Sequence, residues 1–130
     1  ELTLRLLNRD DPLILNGSKN RRAFCYITDA LTASQKVMET PTTDGKVLNI
    51  GNDQEETSIL DLTMSLLEIA GFHPNIVELD APQGSPERRC PDLSAIRKLT
   101  DYEPSIPLSQ GLRDTFAWYS KVSQPTTTPN

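Results

Sequence analysis

The segment from Ser58 to Gly71 places the strongest demand on the fold. Ile59, Leu60, Leu62, Met64, Leu66, Leu67 and Ile69 recur at helical spacing, Glu55-Glu56-Thr57-Ser58 introduces them, and Gly71 ends them. A helix with so broad an apolar face has to be covered by another layer. Short strand-like runs supply one: Leu13-Ile14-Leu15 closed by the Asn16-Gly17 turn, Phe24-Cys25-Tyr26-Ile27, Val47-Leu48-Asn49-Ile50, and Ile76-Val77-Glu78-Leu79. They alternate with helices expected over residues 2–8, from Thr28 or Asp29 as cap to about Thr40, from Asp92 to about Leu99, and from Leu108 through Trp118 and Tyr119. The pattern predicts an α/β class, close to α+β, with a small sheet.

At 130 residues the chain is long enough for one domain with its own core. Residues 1–120 are read as that domain, and the polar, Pro-rich stretch 121–130 as a disordered tail. Net charge is −5, which excludes a general binder of nucleic acid or of anionic membranes, because either would be repelled by the protein as a whole. No run is long enough to cross a bilayer, and no signal peptide is visible. Cys25 and Cys90 make neither a disulfide framework nor a zinc pattern, which points to a reduced, cytoplasmic setting. The chain opens at Glu1 directly in the apolar pattern Leu2, Leu4, Leu6, Leu7, as a piece of something longer would.

Local basic clusters inside an acidic chain suit a small anion. Arg88 and Arg89 stand just before Cys90-Pro91-Asp92, where Pro91 stops the preceding segment, Asp92 can cap a helix, and Leu93, Ile96 and Leu99 form its apolar face. A rigid helix start thus holds two guanidinium groups in a loop, and guanidinium offers always-charged, forked donors to phosphate oxygens. A second cluster, Lys19-Asn20-Arg21-Arg22, follows Gly17. Residues 80–91 form a long loop, and loops of that length are more often functional than idle.

Other chemistry is missing. Among six glycines there is no G-x-G-x-x-G, G-x-x-G-x-x-G or G-x-x-x-x-G-K pattern, and no Tyr is followed four residues later by Lys. The single histidine, His73, reads as a surface turn residue without Ser or Cys partners for a triad. Cys25 reads as a small core residue and Cys90 as a plain loop cysteine. Glu55 and Glu56 are expected to serve the dipole of the helix they precede rather than a metal ion. No catalytic, cofactor-binding or metal-binding residue is assigned within the chain.

Four segments in order carry a resemblance. They are Pro12 to Gly17 followed by Arg22-Ala23-Phe24-Cys25-Tyr26-Ile27-Thr28-Asp29; Val47-Leu48-Asn49-Ile50-Gly51-Asn52 before a Thr/Ser-capped helix; Arg88-Arg89-Cys90-Pro91-Asp92 with its Ser94 helix; and Tyr102-Glu103-Pro104, then Leu108, Gly111-Leu112, Thr115 and Trp118-Tyr119. Over residues 1–120 the chain resembles the C-terminal, substrate-binding part of an extended short-chain dehydrogenase/reductase acting on nucleotide sugars. The nearest relatives implied are UDP-glucuronate decarboxylases, with nucleotide-sugar epimerases and dehydratases close by.

The resemblance implies that NAD, the Tyr-x-x-x-Lys pair and the redox chemistry belong to an N-terminal Rossmann half, and that this chain holds the nucleotide diphosphate of a nucleotide sugar, with a UDP-sugar favoured. It implies that Arg22 and Arg89 are the two diphosphate-binding arginines, with Arg88 a third candidate, and that Leu13, Ile14, Leu15 and Asn16 lie beside the nucleotide base. Arg21 has no counterpart. The partners implied are the chain's own Rossmann half and, for the whole enzyme, a second copy. The competing reading is a non-catalytic module that binds a nucleotide sugar or a protein through Leu2 to Leu7.

Overall fold

The structure is a computed structural model that describes residues 1–122. The segment 123–130, most of the predicted tail, lies outside the described residues, while Lys121 and Val122 are the last residues of a helix. In chain order the elements are α1 (Leu2–Leu7), β1 (Leu13–Asn16), β2 (Arg21–Ala23), α2 (Ile27–Glu39), a short 3-10 turn (Pro41–Thr43), β3 (Glu56–Ser58), α3 (Ile59–Ala70), β4 (Ile76–Leu79), β5 (Arg88–Arg89), α4 (Ser94–Thr100) and α5 (Leu108–Val122). The mixed α/β class is as the sequence predicts.

Two small sheets organise these elements. β1 and β4 pair in parallel, with Leu13 opposite Ile76 and Asn16 opposite Leu79. In the second sheet β2 lies between β3, antiparallel, and β5, parallel.

The demand made by α3 is met by α1, β1 and α5. Leu62, Leu66 and Leu67 of α3 are buried against Leu6 of α1 and against Leu13 and Leu15 of β1, with Leu108, Leu112 and Phe116 of α5 packed on the same cluster. Each such side chain removed from water contributes about 1.5–3 kcal/mol. A second cluster joins Ala33 of α2 to Leu93, Ile96 and Tyr102, all at 0% exposure. The Tyr102 hydroxyl donates to the Gly51 carbonyl at 2.9 Å, which satisfies the one polar group of a fully buried ring.

Caps differ in detail from the sequence reading. Ser58 caps α3 by accepting the Asp61 N–H at 3.0 Å, as the Thr/Ser cap of the sequence reading requires, but Asp61 rather than Glu55 or Glu56 is the acidic residue in the first turn. The loop before β2 completes that cap: the Ser18 and Asn20 carbonyls accept the Leu60 and Ile59 N–H groups at 2.9 and 3.0 Å. Glu55 turns the other way and accepts the Leu108 N–H at the start of α5. Neither Thr28 nor Asp29 caps α2, because the helix starts at Ile27. Asp29 is instead buried at 4% exposure, where it accepts the Ser105 N–H, the Ser105 hydroxyl and the Ile106 N–H at 2.9–3.0 Å. Asp92 accepts the Ser94 N–H at 2.8 Å, as its place before α4 implies.

Two predicted strands are not strands. The Phe24–Ile27 run follows the strand rather than forming it, since Arg21–Ala23 are the paired residues. Val47–Ile50 has strand composition, but no described strand lies beside it, and Val47 is 98% exposed. Backbone in a strand needs a partner for its N–H and C=O groups, so composition alone leaves this run unpaired.

Candidate functional site

The second sheet brings the basic residues together. Arg21, read as loop, begins β2, and the parallel register sets Arg21 beside Arg88 and Arg22 beside Arg89. Successive strand residues point to opposite faces. Arg22, Arg89 and Thr57, the antiparallel partner of Arg22, therefore share one face. Arg21, Arg88 and Glu56, the partner of Ala23, share the other.

The two faces differ in charge. On the second, Glu56 receives both cations. Its carboxylate oxygens lie 2.9 Å from Arg88 Nε and 3.3 Å from Arg21 Nε, and Arg21 Nη2 also donates to the Glu56 carbonyl at 2.8 Å. The Arg88 guanidinium, then Arg21, holds the Glu56 carboxyl below the usual carboxylate range. On the first face, Arg22 donates to the carbonyls of Arg21 (2.7 Å), Pro86 (2.9 Å) and Glu87 (3.3 Å). Among the described residues no carboxylate pairs with Arg22 or Arg89, and Arg89 makes no side-chain hydrogen bond. One face thus presents two uncompensated guanidinium groups and a hydroxyl. Such a set can receive an anion with several oxygens.

Neighbouring residues fix this loop-borne geometry. Gly17 adopts φ +63°, and a Cβ there would fall 2.8 Å from the Ala81 Cβ, so the turn out of β1 accepts only glycine without strain. Pro91 packs against Gly51, where an added Cβ would fall 2.8 Å from its ring, and this anchors the chain just after Arg89.

The predicted base-side strand divides by its alternation. Leu13 and Leu15 are core residues at 0% and 3% exposure, whereas Ile14 is 40% exposed and Asn16 is exposed. Ile14, Asn16, Phe24 and Arg5 line a cleft of about 260 Å³. Arg5 donates to the Ile14 carbonyl at 2.8 Å, which occupies one acceptor on that edge. An apolar cleft of about 250 Å³ runs along α5, lined by Phe24, Cys25, Tyr26 and Leu108 among others. Neither Arg22 nor Arg89 lines these two clefts.

Burial pushes the Cys25 thiol up, against the activation a nucleophile needs. His73 is exposed in the turn after α3. Among the described residues no group of three or more His, Cys, Asp or Glu side chains could hold a metal ion, and no helix is long and apolar enough to cross a membrane. Sequence reasoning missed Thr57 and the bridging role of Glu56. Both depend on β2 pairing with β3 and β5, which no local signal in the sequence reports.

No family model matches the chain. It is 27% identical over 122 residues to the UDP-N-acetyl-alpha-D-glucosaminuronate decarboxylase of Bacillus cytotoxicus, covering 89% of this chain and 37% of that protein. It is 28% identical over 118 residues to UDP-glucuronic acid decarboxylase 1 of Xenopus tropicalis, covering 91% of this chain and 27% of that protein. The crystal structure of UDP-glucuronic acid 4-epimerase from Bacillus cereus, in complex with UDP-glucuronic acid and NAD, superposes with a TM-score of 0.83 at 29% identity, over 93% of this chain and 38% of that one. The chain therefore spans well under half the length of these relatives.

Proposed function

From a chain that matches the C-terminal part of extended short-chain dehydrogenase/reductases in sequence and in fold, we propose a site that grips the diphosphate of a nucleotide sugar between Arg22 and Arg89. The observation that carries this reading is the shared face of these two residues across β2 and β5, with no carboxylate paired to either among the described residues. A diphosphate carries about two negative charges, and each charge-assisted hydrogen bond to it contributes about 1.5–3 kcal/mol. Thr57, beside Arg22, adds a hydroxyl donor. Arg88 belongs to the opposite face and contributes through Glu56. Ile14 and Asn16, the outward residues of β1, are the ones available to the base. A UDP-sugar is the favoured ligand, since the relatives above are decarboxylases and an epimerase of UDP-sugars.

Gly17 follows β1 but leads into β2, so the strand–glycine–helix turn that receives a dinucleotide is not formed there. The hydride chemistry that NAD supplies would belong to a Rossmann half of the same cytoplasmic polypeptide, working as a dimer. The unpaired, apolar Val47–Ile50 run supports a docked second body of that kind. The work of this chain's residues would be to bind and orient: a diphosphate held at two points pins the sugar, and that distal binding energy directs its reactive carbon.

Calorimetric titration of UDP into the protein at its full native length tests the site. Arg89→Ala should weaken UDP by more than about tenfold, the loss of one charged hydrogen bond. Affinity within about twofold of the unmodified protein would remove the clamp.

A further inference from the structure

The sheet that carries the clamp contains a problem in electrostatics. Arg21 and Arg22 of β2 stand directly beside Arg88 and Arg89 of β5. Like charges opposite one another on adjacent strands are destabilising. β5 is two residues long and pairs with β2 alone, so its ladder offers little to resist that repulsion.

Glu56 resolves it from the far side of the sheet. It belongs to β3, on the other edge of β2, and its side chain reaches across β2 to β5. Arg88 Nη2 lies 2.8 Å from Glu56 Oε2, and Arg21 Nε lies 3.3 Å from Oε1. The Glu56 side chain is only 15% exposed, against 52% for Arg21 and 66% for Arg88. The carboxylate the two cations share is thus more enclosed than either of them. One carboxylate thus compensates the row of cations on its own face and ties the outer strand β5 back to β3. The row on the opposite face is left positive.

We propose that Glu56 is a positioning residue for the clamp: by bridging Arg21 and Arg88 it sets the β2–β5 register that places Arg89 beside Arg22. The inference rests on the diphosphate reading given above. Glu56 lies on the face away from the ligand, so its effect passes through Arg89 and concerns the phosphates, not the base or ribose.

The test is a double-mutant cycle read with two ligands, UDP and uridine, on the protein at its full native length. Glu56→Gln keeps the shape and removes the charge. It should weaken UDP by about fivefold, leave uridine within about twofold, and cost nothing further in an Arg89→Ala background, because residues coupled through a shared backbone shift interact by about that much. Exchanging the charges, with Glu56→Arg and Arg88→Glu together, rebuilds the bridge and should regain most of the UDP affinity even if Glu56→Gln alone folds poorly. Equal losses for UDP and uridine, or the same loss with and without Arg89, would overturn the positioning role. So would Glu56→Gln binding UDP like the unmodified protein while Arg89→Ala still loses tenfold. If Arg89→Ala itself left UDP binding unchanged, the clamp would fall and this role with it.

Discussion

Arg22 and Arg89 face the same side of the sheet, but only Arg22 is held there. Three backbone carbonyls, from Arg21, Pro86 and Glu87, fix its guanidinium, whereas Arg89 makes no side-chain hydrogen bond among the described residues. One arm of the pair is preorganised and the other is free to close on a ligand.

The difference separates their variants. Arg22→Ala should lower both UDP affinity and stability, because the Pro86 carbonyl loses its side-chain donor and the Glu87 carbonyl keeps only the Arg21 N–H; a fall of about 1–3 kcal/mol is expected in urea denaturation. Arg89→Ala should stay within about 0.5 kcal/mol of the parent, as an exposed substitution with no broken contact. Equal stability losses for the two variants would contradict the asymmetry.

Asp29 links α2 to the segment entering α5. It is buried and accepts two backbone N–H groups and one hydroxyl. Asp29→Ala leaves those donors without partners and should cost at least about 2 kcal/mol in chemical denaturation. A cost below about 0.5 kcal/mol would mean that water replaces the carboxylate.

Gly17→Ala combines a left-handed backbone with a Cβ placed 2.8 Å from Ala81. Strain of this kind costs about 1–3 kcal/mol. A thermal melt should show the variant destabilised, and because the turn leads from β1 to β2, UDP affinity should fall as well. Unchanged melting would show that the 80–81 segment yields at no cost.

Acid should weaken the fold through carboxylates that the folded chain holds ionised, Asp53, Glu56 and Asp92. Hydrogen bonds from Arg97 hold Asp53 below its ordinary range, and those from Arg88 and Arg21 do the same for Glu56. A group whose folded pKa is depressed contributes stability above its unfolded pKa and loses it as pH falls through the folded one. The contribution should be complete above about pH 5 and fade below about pH 4. Glu56→Gln should make the decline shallower. Urea midpoints measured from pH 7 to pH 3 check this, and stability rising on acidification would refute it.

Local pattern was enough for α3, whose apolar spacing and closing Gly71 appear in the fold as read. It was enough also for β1, β4 and the helix after Pro91. These elements were legible because periodicity and punctuation are properties of neighbouring residues. The same reasoning mistook Phe24–Ile27 and Val47–Ile50 for strands, since strand composition carries no information about a partner.

Residue identity located the basic clusters, Arg21-Arg22 and Arg88-Arg89, that are suited to an anion, and the family resemblance singled out Arg22 and Arg89 among them. Which of the four arginines stand together, and which are neutralised, depended on the pairing of β2 with β5 and with β3. That register joins segments far apart in sequence, and one step of slip would exchange the two faces. Glu56, expected to serve a helix dipole, became the counter-ion of Arg21 and Arg88 for the same reason: a side chain's charge is local, but the charges it meets are set by how distant strands are laid side by side.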